Sequence, residues 1–243
     1  MTIAIQDRTL KALSLVLSYP TRDLQAAMPE IGGVLAAETR LTSAMRRTLR
    51  PLIEDLGQSD IYDLEERYVM LFDRSRTLSL NLFEHVHGES RDRGGAMVSL
   101  IETYRAGGFE PATSELPDHL PVLLEYLATC SASEAHGILG DAAHIFEALQ
   151  VRLTRRDSAY AAVFAALLQL TSTKADRSAV DELLQLPEDD PTNLDALDQV
   201  WEESEVVFGP DPNAGCPQVR EMLARMDTPN TPAPDGAPGI AAE

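Results

Sequence analysis

The densest group of chemically capable side chains lies at positions 83–93, Phe-Glu-His-Val-His-Gly-Glu-Ser-Arg-Asp-Arg. Imidazole and carboxylate groups are good metal ligands, so this segment is a candidate metal site. The spacing argues against one, because His85 and His87 are two residues apart whereas ligands on one helix face lie three or four apart. Arg91 and Arg93 would also repel a cation, and no His-Glu-x-x-His motif occurs. We therefore expect no bound metal and no resident cofactor.

Two interpretations of this segment remain open. In the first it is a structural corner, where one helix ends, the next begins at Ser90, and Arg–carboxylate pairs stabilise both ends. In the second the same groups form a recognition surface for a segment of a partner protein. The pair Gly94–Gly95 then falls early in a helix, where each glycine costs about 1 kcal/mol relative to alanine. The pair could allow close approach of another helix or of a bound peptide, and we expect tight packing in the core.

A second polar cluster, Glu-Leu-Pro-Asp-His-Leu-Pro, occupies positions 115–121. Pro117 suits the first turn of a helix, and Asp118 favours a helix N-terminus. The neighbouring His119 makes an Asp–His pair that could exchange protons with a substrate. No Ser or Cys nucleophile motif and no phosphate-binding loop accompanies the pair, so the sequence favours a binding protein over an enzyme.

Helices must position both clusters, because apolar residues recur at helical spacing almost throughout the sequence. The sustained alternation of apolar and polar residues that marks β-strands is missing. The clearest apolar faces with capping signals are Leu10–Leu13–Leu17 after Asp7, Ile61–Leu64–Tyr68 after Ser59 or Asp60, and Met97–Leu100–Tyr104 before Gly107–Gly108. Further helices are predicted over 117–128, 138–154, 158–170, 180–186 and 194–207. Pro51 is expected to kink or break a helix in the apolar stretch 45–56.

About ten helices predict an all-α fold, a single helical bundle that spans residues 1–208. The character of the chain changes at 209–243, where seven of the fifteen prolines fall in 35 residues. Apart from a short helix at 219–226, we expect this tail to be disordered.

Charge and composition exclude several classes of function. The chain has 243 residues, with 39 acidic against 20 basic ones and a formal charge of −19. Such a charge repels nucleic acids and anionic membrane surfaces, and no apolar stretch is long enough to insert into a membrane. Two distant cysteines form no disulfide framework, and no secretory signal is visible, so a cytoplasmic location is expected.

The acidic surplus is concentrated in residues 176–211, which hold twelve acidic residues and one basic residue, Arg177. Either this is a solvated acidic surface, or it attracts a basic segment of a partner.

Four stretches carry a likeness to a known family: Tyr-Val-Met-Leu-Phe-Asp at 68–73, Leu-Ser-Leu-Asn-Leu-Phe-Glu-His-Val-His-Gly-Glu-Ser-Arg-Asp-Arg-Gly at 78–94, Gly-Gly-Phe-Glu at 107–110, and the cluster at 115–121. They closely resemble the NarJ family of nitrate reductase assembly chaperones, which is related to the TorD and DmsD redox-enzyme maturation chaperones. The resemblance extends over residues 10–208. Gly95 and Ser99 depart from the commonest residues of the family, which affects local helix stability.

The resemblance implies a TorD/NarJ-like fold and a chaperone that is no enzyme. Its partner would be the N-terminal segment of the apo nitrate reductase catalytic (alpha) subunit, held in the cytoplasm for molybdenum cofactor insertion. The motif match implies that nine residues line or support the peptide site: Tyr68, Phe83, Glu84, His85, Arg91, Asp92, Arg93, Asp118 and His119. In our hypothesis Asp118 and Glu84 attract positive charges of the target, while Arg91 and Arg93 hold these acids in place.

Three alternatives remain open. One is a chaperone for another molybdoenzyme, of the dimethyl sulfoxide or trimethylamine oxide reductase type. A second, from a different class, is a helical metal-dependent hydrolase that uses His85, His87 and Asp92. A third is an acidic adaptor that binds its partner through residues 176–211 alone.

Overall fold

The protein is built from α-helices throughout the part of the chain that the structure describes. The structure is a computed structural model, and it describes residues 5–87, 91–171 and 173–187. Over these ranges there are eleven α-helices, one π-helical turn and one 3-10 turn, and the sole β-type pairing is an isolated bridge. The predicted all-α fold is confirmed.

The helices follow one another with short connections. In chain order they are α1 (Arg8–Val16), α2 (Arg22–Ala37), α3 (Ser43–Gln58), α4 (Ile61–Tyr68), α5 (Leu82–His87), α6 (Arg91–Ala106), α7 (Leu120–Leu127), α8 (Ala132–Asp141), α9 (Ala143–Arg155), α10 (Ala161–Thr171) and α11 (Arg177–Gln185). Between α4 and α5 lie the π-helical turn Val69–Asp73 and the 3-10 turn Arg76–Leu78.

Two N-terminal caps predicted from the sequence are present. The Asp7 carboxylate accepts the backbone N–H groups of Thr9 and Leu10 at 2.9 and 3.1 Å and so begins α1. Asp60 accepts the N–H of Tyr62 at 2.9 Å and begins α4. Each carboxylate satisfies donors that have no partner inside their own helix.

The predicted stop at Gly107–Gly108 is also present. The N–H of Phe109 donates to the carbonyl of Tyr104 at 2.8 Å, and that of Gly108 to Arg105 at 2.9 Å. This is a Schellman motif, which requires a left-handed residue, and Gly108 has φ 72°. A Cβ on Gly107 would lie 2.8 Å from the Tyr126 ring. The end of α6 is therefore fixed by both backbone conformation and packing.

One apolar core joins the helices. Helix α1 packs between α2 and α7, α2 pairs with α3, and α9 packs against α8, α10 and α11. Side chains with no measurable exposure include Leu13, Leu17, Leu120, Phe146 and Phe164. This core is the rigid scaffold on which α5 and α6 are placed.

Three details of the prediction are wrong. Of the predicted kink or break at Pro51, the break is wrong, because helix α3 continues through this exposed residue with its stripe from Leu49 to Leu56 buried on the core. The helix predicted over 138–154 is two helices, α8 and α9, which meet at Ala142. The break follows Gly140, where a Cβ would lie only 2.9 Å from Oγ1 of Thr173.

The third detail concerns α7, which begins at Leu120 rather than at Pro117. Asp118 and His119, directly before it, pair with residues 81 and 82, so they are unavailable to the helix. Pro121, rather than Pro117, occupies the first turn, where a missing N–H costs nothing.

Several predictions fall outside the described residues. These are the cap at Ser90, the helices at 194–207 and 219–226, the tail at 209–243 and most of the acidic segment 176–211. The boundary at residue 208 accordingly stays a prediction. Within the described part, no helix is long and apolar enough to cross a membrane.

Candidate functional site

The fold brings the two polar clusters of the sequence together. The N–H of Leu82 donates to the carbonyl of Asp118 at 3.1 Å, and the N–H of Leu120 donates to that of Leu80 at 2.8 Å. Asn81 and His119 form the isolated antiparallel bridge between them. The start of α5 and the entry to α7 thus form one joint, which we call the Asp118–His119 corner.

Asp118 lies at the centre of this corner and is 0% exposed. Its Oδ2 accepts the N–H of Phe83 at 3.0 Å, so the side chain caps α5 rather than the helix that follows it. Its Oδ1 has no hydrogen-bond partner among the described residues. Burial raises the pKa of this carboxyl above its usual value, although the Phe83 N–H and the charge of Arg93 oppose the shift.

An ion pair connects α5 to α6. Nη1 of Arg93, in the first turns of α6, lies 3.6 Å from Oε1 of Glu84, and both side chains are mostly buried. Asp92 beside it is exposed. Arg91 is the first residue of α6, and its side chain lies outside the description. Arg93 thus holds Glu84 as our hypothesis expected, whereas the role of either residue in binding stays a prediction.

The His85 side chain connects α5 to the segment that precedes the Asp118–His119 corner. Its Nε2 lies 2.8 Å from the carbonyl oxygen of Ser79, and since a carbonyl can only accept, this nitrogen carries the hydrogen. Burial lowers the pKa of His85, and the nearby charge of Arg152 lowers it further. The neutral ring therefore fixes α5 to the segment that precedes it.

An apolar groove of about 440 Å³ opens in front of Asp118. Helix α5 contributes Phe83 and Val86, α6 contributes Leu100, and α8 and α9 contribute Ile138 and Ile145. Val86 is 54% exposed although it is apolar. The buried Asp118 and the exposed Asp141 are both part of the lining, so the groove combines apolar walls with two carboxyls. Of these, Asp118 has an oxygen without a hydrogen-bond partner among the described residues.

A second, more polar cavity of about 350 Å³ lies on the other side of the corner. It is lined by His119, Tyr68, Tyr19, Asp73 and Glu115, and we call it the acidic cavity. The pKa of Asp73 is raised by burial and by the charge of Glu115. Nδ1 of His119 has no hydrogen-bond partner among the described residues, and burial lowers the pKa of this ring.

Tyr68 contributes to the acidic cavity from the end of α4. Its hydroxyl donates to the carbonyl of Leu17 at 2.9 Å, and its ring packs edge-on against that of Tyr19, with centroids 5.5 Å apart. Burial raises its pKa. Because Tyr68 is only 3% exposed, the more exposed Tyr19 offers the larger aromatic surface.

The predicted site residues therefore divide between two cavities. Phe83 and Asp118 line the apolar groove, Tyr68 and His119 line the acidic cavity, and Glu84, His85 and Arg93 brace the helices between them. Sequence reasoning missed the far wall of the groove, formed by Ile138 and Ile145, because periodicity assigns such residues to the core.

The arrangement suits recognition better than catalysis. No group of three His, Cys, Asp or Glu side chains in the described ranges could hold a metal ion. Asp118 and His119 point into different cavities, so they share no substrate position. What the corner offers is an apolar surface with a carboxyl at its base and carboxylates nearby, a combination that fits an amphipathic, basic segment.

The fold has a counterpart among solved structures. A crystal structure from Archaeoglobus fulgidus, titled as a redox enzyme maturation protein, superimposes with a TM-score of 0.50 at 24% sequence identity. The match covers 71% of this chain and 97% of that protein. At this identity the likeness establishes the fold alone, and it confirms the predicted TorD-like architecture.

Sequence comparisons define the family. Residues 38–166 match the family described as nitrate reductase delta subunit. The nitrate reductase molybdenum cofactor assembly chaperone NarJ of Escherichia coli K12 is 43% identical over 206 residues, which cover 85% of this chain and 87% of NarJ. The Bacillus subtilis protein of the same name is 29% identical over 177 residues, 73% of this chain and 95% of its own length. The chain therefore belongs to the nitrate reductase delta subunit family, and both of these relatives are named as assembly chaperones.

Proposed function

We propose that this protein is a cytoplasmic assembly chaperone for nitrate reductase. It binds the N-terminal segment of the apo catalytic subunit and keeps the enzyme competent for insertion of the molybdenum cofactor. The observation that carries the proposal is the 43% identity to Escherichia coli NarJ over most of both chains.

The apolar groove supports a helical partner. An amphipathic helix presents its apolar residues along one stripe, and the groove between α5, α6 and α9 offers a matching apolar surface with Phe83, Val86 and Leu100. Since Val86 is exposed in the free protein, covering it with an apolar side chain gains free energy. Apolar contact supplies most of the proposed affinity.

Charge supports a basic partner. The chain carries −19 overall, and the Asp118–His119 corner has Asp73, Glu115 and Asp118 around it. Oδ1 of Asp118 is buried in the free protein, so in this proposal it accepts an N–H group of the partner once binding uncovers it. The excess of carboxylates speeds the encounter with a segment that bears Arg or Lys, and salt weakens this effect.

The test is calorimetric titration of the full chain with a synthetic peptide of the first ~30 residues of the cognate catalytic subunit, a length that spans one recognition helix and its flanks. A peptide of the same composition in scrambled order is the control. A third peptide, from a reductase of the dimethyl sulfoxide type, tests the alternative molybdoenzyme partner.

We expect saturable 1:1 binding of the cognate peptide that weakens as salt is raised, with no binding of the scrambled peptide. Equal binding of the scrambled peptide would show that only composition is recognised and would contradict the proposal. Preferential binding of the third peptide would instead keep the chaperone and change its client.

A further inference from the structure

Helix α6 is anchored to the core at one end. Near its C-terminus Tyr104 is 1% exposed, and its hydroxyl donates to the carbonyl of Pro117 at 2.6 Å. The Tyr104 ring also packs against Phe109 and Tyr126, with centroids 5.4 and 4.8 Å apart. Among the described side chains of α6, Tyr104 alone is buried, while Leu100 is partly buried against the core.

The other end of α6 contains two glycines that packing does not explain. Gly94 and Gly95 are exposed, and a Cβ built on either one meets no atom within 4 Å. The expectation of tight packing against the core is therefore wrong, whereas close approach of a bound peptide stays a prediction. Each glycine inside a helix lowers the equilibrium constant for helix formation about fivefold relative to alanine. The first turns of α6 therefore have low helix stability, and no packing contact of the described residues requires glycine at these two positions.

These weak turns form part of the apolar groove. Ala96, Ser99 and Leu100 line one wall, opposite Ile138 and Ile145 of the rigid core. An ion pair between Glu84 and Arg93, at 3.6 Å, ties this wall to α5. If the N-terminal turns of α6 unfold locally while its C-terminal end stays packed, the groove becomes wider.

We propose that residues 91–100 of α6 are a movable wall of the groove, which opens by local unfolding while Tyr104 and Gly107–Gly108 stay fixed. Opening admits the partner segment, and refolding of the wall over the segment buries its apolar side. The inference rests on the proposed function for the identity of the segment, whereas the opening itself is a property of the free protein.

Amide hydrogen exchange of the free chain, read by mass spectrometry, tests the opening without any partner. We expect amides 96–100 to exchange at least tenfold faster than amides 103–106. In the double variant Gly94→Ala/Gly95→Ala, amides 96–100 exchange about twenty-five-fold slower than in the wild type, because two glycines contribute about fivefold each. Neither substitution introduces a clash, since nothing lies within 4 Å of either Cβ.

Gly33→Ala is the matched control. Gly33 is an exposed glycine inside α2 whose Cβ also meets nothing within 4 Å. This variant should leave exchange of α6 and peptide binding unchanged. Uniform exchange along α6 in the wild type, or an unchanged rate in the double variant, would overturn the movable wall.

Stopped-flow binding of the cognate N-terminal peptide then tests what the wall does. We expect the association rate of the double variant to fall by about tenfold or more, as the open population shrinks. Slower exchange with an unchanged association rate would overturn the gating role. Fast exchange of amides 96–100 in a wild-type chain that binds no peptide would contradict the proposed function and still support the opening.

Discussion

The carboxylate of Asp118 caps a helix that begins thirty-six positions before it in the chain. Its Oδ2 lies 3.0 Å from the backbone nitrogen of Phe83, and its own carbonyl accepts the N–H of Leu82 at 3.1 Å. Two of the donors that begin α5 are therefore satisfied by one distant residue. The same side chain lines the groove, so it acts in both the fold and the candidate site.

Asp118→Ala and Asp118→Asn separate these two roles. The alanine variant leaves the buried N–H of Phe83 without a partner, and we expect the free energy of unfolding to fall by about 2 kcal/mol. The asparagine variant keeps an acceptor oxygen and should lose less than about 1 kcal/mol, while it removes the charge. Urea denaturation measures the first effect, and peptide titration measures the second.

Weakened peptide binding by the asparagine variant, with its stability retained, is the expected result if the charge recognises the partner. Equal affinity of the wild type and this variant would instead restrict Asp118 to capping α5. The alanine variant alone could not distinguish these outcomes, because it changes the position of Phe83 as well.

Glu38 makes part of the stability dependent on pH. Arg40 donates to it, Thr9 adds a second hydrogen bond, and together they lower the pKa of Glu38 from 4.5 to about 2. A carboxyl whose pKa is lower in the folded state stabilises the fold above the unfolded value. This contribution is lost as the pH falls from about 4.5 towards 2.

Glu38→Gln should therefore lower the melting temperature by about 2–6 °C at pH 7 and leave it unchanged near pH 2. Glu30→Gln is the control, because Glu30 forms only an exposed pair with Arg8 at 3.6 Å. Melting curves followed by circular dichroism across this pH range measure both variants. A difference between wild type and Glu38→Gln that persisted at pH 2 would show that the carboxylate charge is not its source.

Local signals in the sequence predict the helices that have clear caps and stripes. Asp7, Asp60 and the pair Gly107–Gly108 mark helix ends correctly, because each acts on backbone groups within a few residues. Helix α2 was not identified, since Pro29 and Gly32–Gly33 interrupt its pattern. Tertiary packing holds it, and a Cβ on Gly32 would lie 3.1 Å from Ile53 of α3.

The candidate site is less predictable, because its geometry depends on contacts between distant segments. Nothing local shows that Asp118 caps α5, or that Asp118 and His119 enter different cavities. The resemblance drew attention to these residues, and their role in binding stays a prediction. Their division between an apolar groove and an acidic cavity required the three-dimensional fold.

Arg152 joins the end of α11 to the 3-10 turn. It is 1% exposed, Nη1 donates to the carbonyl of Thr77 at 2.8 Å, and Nη2 donates to the carbonyls of Leu183 and Leu186. Arg152→Met removes these charge-assisted hydrogen bonds, and we expect a loss of about 3 kcal/mol in the free energy of unfolding. Arg152→Lys should lose less, because one ammonium reaches only some of them.

The control for Arg152 is Arg177→Met, which removes an exposed ion pair to Glu147 at 2.7 Å and should cost about 1 kcal/mol or less. Urea denaturation gives all three values. A loss in Arg152→Met as small as that of Arg177→Met would mean that water replaces the guanidinium at these carbonyls.

Two exposed valines test where the partner binds. Val86 on α5 and Val98 on α6 are 54% and 56% exposed, and only Val86 lines the apolar groove. A charge at either position remains in water in the free protein, so neither Val86→Asp nor Val98→Asp should lower stability by more than about 0.5 kcal/mol. Burial of Val86 against the peptide forces the new carboxylate to lose water, which costs at least tenfold in affinity. We therefore expect peptide titration to show weak binding by Val86→Asp and wild-type binding by Val98→Asp, whereas equal affinities would place the peptide outside this groove.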